Sequence, residues 1–264
     1  MKNTDFLHNY GPWAVVTGAS SGIGAEFCRQ LAAMGLNIVM VSRRRERMET
    51  LAQEITKRHP IHIIIIPADL AQEDFLSFLE PEIEGLEIGL LVNNAGFGIG
   101  GGFLDHDINR ELEQLNVNCR APLLLTHRLA PEMIKRRRGG IIFLSSALGY
   151  IPTPLFANYA ATKAHNLFIG EALYYELKPY NVAVLTLSPG LTATEFGTIA
   201  GTNSRMPKMS PGTVVKTALH SLGKKPAVIP GIHNKFFVQL TRFLPRNLLE
   251  WILSRSMKSR IRQK

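Results

Sequence analysis

The chain has 264 residues and a mass of 29.3 kDa, which suits one large domain with a substantial core. Hydrophobic residues make up 45% and charged residues 19%, a balance that excludes wholesale disorder. Two cysteines, Cys28 and Cys119, are too few for a disulfide framework and indicate a reducing compartment. The chain start lacks a signal-peptide pattern, and no apolar run approaches the ~20 residues of a spanning helix, so we expect a cytoplasmic protein.

The net charge of +9 is unevenly distributed along the chain. Residues 1–204 hold 17 Lys and Arg against 20 Asp and Glu, a net charge of −3. Residues 205–264 hold 13 Lys and Arg against Glu250 alone, a net charge of +12. Such clustering either serves solubility or attracts an anionic partner over a long range.

Short apolar segments alternate with helical patterns along the chain. The expected strands are Trp13–Thr17, Asn37–Ser42, His62–Pro67, Leu90–Asn93, Gly140–Ser145, Val182–Leu187 and Ala227–Ile229. The expected helices are Glu26–Met34, Arg43–Arg58, Gln72–Leu79, Asp105–Asn118, Leu123–Arg137, Asn158–Lys178 and Pro211–Leu222. This alternation is typical of an α/β fold whose parallel sheet is covered on both faces. We predict one doubly wound, seven-stranded domain, residues 1–230, followed by a basic amphipathic helical extension, residues 231–264.

A glycine-rich turn, Thr17–Gly24, joins the first strand to the first helix. Its glycines let the backbone approach a pyrophosphate, and the helix N-terminus offers free N–H groups and a partial positive charge. Ser20 and Ser21 add hydroxyl groups. The segment could also be only a turn. Because Gly18–Gly22 matches G-x-S-x-G, a serine hydrolase is a remote alternative.

Later strand ends carry further motifs in a fixed order. They are Asn93–Gly96, Ser146, Tyr159–Lys163 and Pro189–Gly190. Together with the glycine-rich turn, these motifs resemble the short-chain dehydrogenase/reductase family, in which the serine and the tyrosine are separated by 13 residues, as they are here. The resemblance implies a seven-stranded Rossmann sheet and reversible hydride transfer between a nicotinamide and a carbonyl or alcohol.

The resemblance implies a catalytic role for four polar residues. Tyr159 would be the acid and base, and Lys163, four residues later on the same helix face, would lower the pKa of Tyr159 and bind the nicotinamide ribose. Ser146 would hydrogen-bond the substrate oxygen and stabilise the charge that forms on it. Asn118 matches the family's asparagine that anchors a proton-relay water, and Asn116 is its nearby alternative. An NADP-binding regulatory protein without turnover is the alternative function, but a binding protein needs no acid.

The residues after the second strand indicate which nicotinamide binds. Where NAD-specific members of this family carry an acidic residue, this chain has Ser42 followed by Arg43 and Arg44. Guanidinium groups suit a 2′-phosphate, so we predict NADP with Arg43 as the main contact, unless the arginines only begin a solvated helix. The other cofactor contacts implied by the resemblance are Gly18, Ser20, Ser21, Gly22, Ile23, Gly24, Asp69, Leu70, Asn94, Ala95, Gly96, Tyr159, Lys163, Pro189, Gly190, Thr192 and Thr194. No zinc-ligand spacing occurs, so we expect no metal.

The two loops that set substrate specificity in this family are apolar here. They carry Leu148, Tyr150, Ile151, Leu155, Phe156, Phe196 and Ile199, with Phe97 nearby. An apolar pocket suits an acyl chain, a steroid or a hydrophobic ketone and does not choose among them. The resemblance also implies a homodimer or homotetramer built on the long helices, and we expect no nucleic-acid partner.

The extension 231–264 combines apolar side chains with dense positive charge. Its apolar residues are Phe236, Phe237, Leu240, Phe243 and Leu244 before Pro245, and Leu248, Leu249, Trp251, Ile252 and Leu253 after it. The chain ends with Arg255, Lys258, Arg260, Arg262 and Lys264. Such a segment could lie on an anionic membrane, bind an acidic carrier protein, or cap the substrate pocket or a subunit contact, and the sequence leaves these alternatives open.

Overall fold

Seven parallel strands form a single sheet in the computed structural model, which describes residues 3–202, 206–241 and 243–258. The strands are β1 Trp13–Thr17, β2 Asn37–Ser42, β3 Ile63–Pro67, β4 Ile88–Asn93, β5 Gly139–Leu144, β6 Val182–Leu187 and β7 Ala227–Val228. Their order in the sheet is β3-β2-β1-β4-β5-β6-β7, and every neighbouring pair is parallel. The predicted doubly wound Rossmann sheet is confirmed. Because the strand order reverses between β1 and β4, a crevice opens beyond their carboxyl ends.

Helices cover both faces of this sheet. They are α1 Asn3–Tyr10, α2 Gly22–Ala33, α3 Arg45–Thr56, α4 Phe75–Ile83, α5 Ile108–Leu115, α6 Ala121–Arg136, α7 Ala157–Leu177, α8 Phe196–Ile199, α9 Pro211–Ser221, α10 Ile232–Thr241 and α11 Arg246–Lys258. The sequence analysis missed α1 and α8. It also began the helix of residues 105–118 too early, because the Asp107 side chain caps α5 by accepting a hydrogen bond from the Asn109 N–H.

The strand side chains alternate between two cores, one on each face of the sheet. Val16 and Met40 belong to the core that also contains buried residues of α1, α2, α3 and α9. Val15 and Val41 belong to the core on the opposite face, with α4, α6 and α7. Since helices close both faces, the carboxyl ends of the strands are where side chains from several loops can meet a ligand.

The C-terminal helices fold back onto the loops that follow β5 and β6. The Asn234 side chain of α10 fills the space beside Gly190, where a Cβ would lie 2.3 Å from its Oδ1 atom. Leu249 and Leu253 of α11 pack with Ile151. The extension therefore contacts the loops after β5 and β6, in which substrate specificity is expected. A cap over the substrate pocket would need these contacts. Arg260, Arg262 and Lys264 lie outside the described residues.

Helix α7 approaches β6 so closely that only glycine fits at one position. A Cβ added to Gly170 would lie 2.2 Å from Thr186 Oγ1 and 3.2 Å from Phe143 Cδ2. We expect Gly170→Ala to force α7 away from the sheet and to lower the free energy of unfolding by roughly 1–3 kcal/mol, the usual cost of overpacking. Chemical denaturation measures this loss.

Gly197→Ala is the matched control, because its Cβ would meet nothing closer than 3.5 Å. Its unfolding free energy should remain within about 0.5 kcal/mol of the wild-type value. A Gly170→Ala protein as stable as this control would show that α7 does not pack as described.

Candidate active site

Tyr159 lies in the first turn of α7 and is almost completely buried, with 7% of its surface exposed. Its ring contacts those of Phe156 and Phe196, with centroid distances of 6.0 and 5.2 Å. Burial raises the pKa of Tyr159 to about 12, and a hydrogen bond with Ser146 acts in the opposite direction. The phenol therefore keeps its proton at neutral pH and lies beside Ser146 in an apolar environment.

Lys163 is buried one helical turn after Tyr159. Its Nζ atom donates a hydrogen bond to the Leu144 carbonyl at 2.8 Å and lies 5.8 Å from the centroid of the Tyr159 ring. Burial lowers the pKa of Lys163 to about 8. The expectation that Lys163 lowers the pKa of Tyr159 stays a prediction, because the shift in this structure comes from burial and from the Ser146 hydrogen bond. The Lys163 ammonium is bound to the end of β5 rather than to the phenol oxygen.

The structure distinguishes Ser146 from the adjacent Ser145. Ser145 is buried and donates from Oγ to the Lys163 carbonyl at 2.6 Å. Ser146 instead bonds to Tyr159 and accepts a 3.2 Å hydrogen bond from the Leu148 N–H. Ser146 is thus the serine that faces the acid, in agreement with the 13-residue spacing.

Asn118 holds a loop against α7. It lies in a π-helical segment, Asn116–Arg120, and its amide group bonds both to the backbone N–H and carbonyl of Phe97 and to Thr162 Oγ1, at 2.9 to 3.1 Å. The alternative residue, Asn116, donates to the distant Ala71 carbonyl. Asn118 is therefore the asparagine of the site, and its side chain fixes the loop beside Lys163.

Asn166 was missed by the sequence analysis. Its Nδ2 atom donates to the Asn118 carbonyl at 2.9 Å and to the Leu144 carbonyl at 3.3 Å, so that it shares an acceptor with Lys163. The sequence feature that could have identified Asn166 is its position three residues after Lys163, on the same face of α7.

The glycine-rich turn packs against the end of β4. Gly18 has a φ of +66°, which favours glycine, and a Cβ there would lie 2.9 Å from the Ala95 Cα atom. Thr17 Oγ1 accepts from the Asn94 and Ala95 N–H groups, both at 3.0 Å, and Asn94 Nδ2 donates to the Thr17 carbonyl. A Cβ on Gly24 would lie 2.2 Å from the Gly18 carbonyl oxygen. The backbone itself shapes this cradle.

An open cavity of about 570 Å³ lies at the N-terminus of α2. It is lined by Ser21, Gly22, Ala193, Thr194, Glu195, Thr198 and Lys208. The helix dipole, the free N–H groups and Lys208 make this cavity suitable for an anionic group such as a pyrophosphate. The predicted contacts Ser21, Gly22 and Thr194 lie together here.

Arg44, and not Arg43, lies against the serines of the turn. Its guanidinium donates to Ser20 Oγ at 3.1 Å, to Ser21 Oγ at 2.7 Å and to the Glu195 carboxylate at 2.8 Å. Arg43 is exposed. Arg44 is therefore a second candidate for the phosphate contact that the sequence analysis gave to Arg43.

Glu195 is a second residue that the sequence analysis missed. Arg44 and Arg47 both bond to its carboxylate and lower its pKa to about 2. Since Glu195 belongs to the loop after β6, these ion pairs connect that loop to the start of α3. Ser20, the nucleophile of the hydrolase alternative, bonds to Ser42 and Arg44, where a hydrolase needs a histidine.

The remaining predicted cofactor residues occupy the same crevice. Asp69 Oδ1 accepts from the Ala71 N–H, whereas the Leu70 side chain points into the core, which leaves its backbone for a ligand. A Cβ on Gly96 would lie 3.1 Å from Lys163 Nζ. The others are Ile23 in the first turn of α2, Pro189, whose carbonyl accepts from the Ala147 N–H, and Gly190, whose carbonyl accepts from Thr192 Oγ1.

Tyr159 faces an apolar cluster. Its members are Leu148, Leu155, Phe156, Phe196, Ala200 and Met257. Met257 comes from α11 and was not among the predicted pocket residues. Four predicted ones lie elsewhere. Ile199 is largely exposed, Tyr150 and Ile151 pack with Leu249 and Leu253, and the Phe97 ring lies under the Arg110 guanidinium.

Other kinds of site were also sought in the described ranges. Residues 3–202, 206–241 and 243–258 contain no group of three His, Cys, Asp or Glu side chains that could hold a metal ion. Within the same ranges, each helix is too short or too polar to cross a bilayer. Burial raises the pKa of the Cys28 and Cys119 thiols, which makes them poor nucleophiles.

Comparison with known proteins identifies similar chains. The family model described as short chain dehydrogenase matches residues 12–204. A very-long-chain 3-oxoacyl-CoA reductase of Anas platyrhynchos is 32% identical over 253 residues, which cover 94% of this chain and 80% of that protein. A protein of the same name from Homo sapiens is 33% identical over 217 residues, 81% of this chain and 69% of that protein.

Two solved structures have the same architecture. One, described for the stereoselectivity of 7beta-hydroxysteroid dehydrogenase, is 28% identical with a TM-score of 0.87 over 96% of this chain and 99% of that chain. The other, a short-chain dehydrogenase from Sphingobium yanoikuyae in complex with NADPH, is 29% identical with a TM-score of 0.79 over 89% and 97%.

The lowered pKa of Lys163 should make stability depend on pH. The folded protein releases this proton near pH 8, whereas an unfolded lysine holds it to 10.5, so the unfolded state binds more protons in that window. The contribution of Lys163 to stability therefore rises with pH between these values. The raised pKa of Tyr159 acts in the opposite direction, but only above the ordinary tyrosine value of 10.

Denaturant unfolding of wild type and Lys163→Met at about pH 7.5 and about pH 9.5 isolates the lysine, because the burial of the Cys28 and Cys119 thiols contributes equally to both proteins. We expect wild type to gain stability relative to Lys163→Met as pH rises. Lys216→Met, an exposed position on α9, is the control and should follow wild type. Parallel behaviour of wild type and Lys163→Met would contradict the burial of this ammonium.

Proposed function

The chain belongs to the short-chain dehydrogenase/reductase family, and from this premise we propose that it is an NADPH-dependent reductase of the 3-oxo group of long-chain acyl thioesters. Its family makes it an oxidoreductase that acts on C=O and CH–OH groups. The observation that carries the proposal is the protonated Tyr159 hydroxyl, which meets Ser146 inside an apolar cluster that an acyl chain could fill.

The chain's own residues supply the proton and stabilise the developing charge. When bound, a nicotinamide nucleotide supplies the hydride that adds to the carbonyl carbon. Ser146 Oγ donates a hydrogen bond to the carbonyl oxygen, and Tyr159 Oη transfers its proton to that oxygen as the C–O double bond becomes single. The phenolate that remains lies near the Lys163 ammonium until solvent returns a proton.

The titration of Tyr159 supplies the protonated group that reduction needs. With a pKa of about 12, the phenol is protonated throughout the neutral range and is ready to act as an acid. Oxidation of an alcohol would need the phenolate as a base, which burial makes scarce. A buried acid has no use in a regulatory protein that only binds NADP.

Two features support a long acyl substrate. The side chains around Tyr159 are apolar, and Met257 brings α11 into the same cluster. The two similar proteins that are named very-long-chain 3-oxoacyl-CoA reductase align with 94% and 81% of this chain. A hydroxysteroid is the second candidate substrate, since the 7beta-hydroxysteroid dehydrogenase structure superposes on 96% of the chain.

The homo-oligomer stays a prediction. Phe168 and Tyr175 on α7 and Leu112 and Leu115 on α5 are exposed apolar side chains on two adjacent helices. They would give a second copy a surface to bind.

Replacing the acid should abolish turnover. With NADPH and a long-chain 3-oxoacyl-CoA, we expect Tyr159→Phe to lower kcat by roughly 10²- to 10⁴-fold while KM changes little, because only proton donation is lost. Tyr175→Phe removes a hydroxyl from an exposed tyrosine of the same helix and should turn over normally. Oxidation of NADPH followed by absorbance measures both. Normal turnover by Tyr159→Phe would exclude the mechanism, whereas a wild-type preference for a steroid ketone would exclude only the acyl substrate.

Arg44 should select NADPH over NADH. Its contacts with Ser20 and Ser21 place the guanidinium where a 2′-phosphate could bind, and charged hydrogen bonds of this kind are worth about 1.5–3 kcal/mol. We expect Arg44→Ala to weaken NADPH binding by roughly tenfold or more and NADH binding little. Fluorescence titration of each nucleotide measures these constants.

Arg43→Ala is the matched control and should weaken NADPH binding less than Arg44→Ala. If Arg43→Ala causes the larger loss, the original assignment to Arg43 is right and that to Arg44 is wrong. Equal affinity of the wild-type protein for NADH and NADPH would contradict the choice of cofactor.

A further inference from the structure

Helices α10 and α11 carry apolar side chains on two opposite sides. The inner side chains are buried: Val238, Leu249, Leu253 and Met257. A second set is exposed to solvent. These residues, which we call the outer apolar face, are Ile232, Phe236, Phe237, Leu240, Phe243, Leu248, Trp251 and Ile252.

The exposure of this face is large for such residues. Phe243 is 83% exposed, Phe236 67% and Trp251 53%. A surface helix of a globular protein normally turns its apolar stripe toward the core and its polar residues toward water. Here the inner side chains already supply the contact with the core, so the outer face is available for another apolar surface.

The charge around the outer apolar face indicates the chemistry of its partner. Residues 231–264 contain eight Lys and Arg against Glu250 alone, a net charge of +7. Within the described part, Lys235, Arg255 and Lys258 belong to these helices, and the Arg255 guanidinium lies 4.1 Å above the Trp251 ring. An aromatic ring that contacts a cation is suited to a boundary where apolar chains meet polar head groups.

This charge disfavours a second copy of the chain as the partner. Two such faces in contact would bring two segments of net charge +7 together, and like charges repel. A surface that combines negative charge with an apolar interior satisfies both properties of the face. An anionic lipid bilayer is such a surface, with anionic head groups for the basic side chains and acyl chains for the aromatic ones.

We propose that the protein docks peripherally on anionic membranes through the outer apolar face of α10 and α11. The two helices lie in the interfacial region with Phe236, Phe243 and Trp251 among the acyl chains. Lys235, Arg255 and Lys258 remain at the level of the anionic head groups.

The docked orientation brings the bilayer near the active site. Met257 of α11 belongs to the apolar cluster around Tyr159, so the helix that meets the membrane on one side borders the catalytic acid on the other. If the proposed function is right, a long-chain acyl substrate can pass from the bilayer along α11 without crossing water. This last step rests on the proposed function, whereas the docking itself does not.

Vesicle co-sedimentation of the full chain, without substrate or nucleotide, tests the docking. We expect the protein to pellet with phosphatidylcholine vesicles containing about a third phosphatidylserine at low salt, and to pellet far less with phosphatidylcholine alone. High salt should release most of it. The double variant Phe243→Ser/Trp251→Ser should reduce the partition coefficient by roughly tenfold or more.

Phe78→Ser is the matched control, since Phe78 is 57% exposed and belongs to α4, which contacts β3 at the edge of the sheet opposite to β7. It should pellet like wild type, and all variants should keep the wild-type Tm because the replaced side chains are exposed. NADPH oxidation with a short, water-soluble 3-oxoacyl thioester should be unchanged in the double variant, so loss of docking is separable from loss of catalysis.

Three outcomes would overturn the proposal. The wild-type protein could fail to pellet with anionic vesicles at low salt. The double variant could pellet as well as wild type, in which case another surface of the protein binds the vesicles. The protein could bind a purified acidic acyl-carrier protein and leave vesicles unbound, which would make a protein the partner.

Discussion

The attachment of helix α7 to the carboxyl end of strand β5 determines the geometry of the whole site. The last carbonyl of β5, that of Leu144, accepts from Lys163 Nζ and from Asn166 Nδ2. Ser145 completes the attachment from the strand side by donating to the Lys163 carbonyl. Because these bonds fix both the height and the rotation of α7, Tyr159, one turn earlier, can only lie against Ser146.

The same attachment explains the electrostatics of the site. The Lys163 ammonium is removed from water and contacts one carbonyl and an aromatic ring, so burial lowers its pKa. The Tyr159 phenol is removed from water and is surrounded by Phe156, Phe196 and one serine hydroxyl, so burial raises its pKa. Both shifts favour the neutral form, and the site therefore holds a neutral acid beside a cation that gives up its proton readily.

The strand ends were predictable from the sequence because a parallel sheet brings them to one edge. Short apolar runs and the turns after them predicted that the glycine-rich turn, Asn94, Ser146 and Gly190 lie in one crevice. The choice between Ser145 and Ser146 followed from the resemblance, because the family separates its serine and tyrosine by 13 residues. Such features depend on local patterns, which a single sequence contains.

The features that were missed depend on side-chain direction and on distant packing. Whether Arg43 or Arg44 turns toward Ser20 depends on the backbone between β2 and α3, where both have the same chemistry. Met257 contacts the cluster around Tyr159 only because α11 folds back across the loops after β5 and β6. Glu195 pairs with Arg44 only because the loop after β6 packs against the glycine-rich turn. Helix α1 had a weak signal, the four-residue spacing of Phe6 and Tyr10, whose rings are 4.7 Å apart.

The most direct test of the central claim, hydride transfer to a carbonyl carbon assisted by Tyr159, follows the hydrogen itself. The protein is incubated in ordinary water with a long-chain 3-oxoacyl-CoA and NADPH that carries deuterium in the transferred position at C4 of the nicotinamide, and the product is analysed by mass spectrometry. The account predicts a 3-hydroxyacyl product with one deuterium on C3 and an undeuterated hydroxyl group. A product without deuterium on C3, or a thioester that is hydrolysed without being reduced, would contradict it.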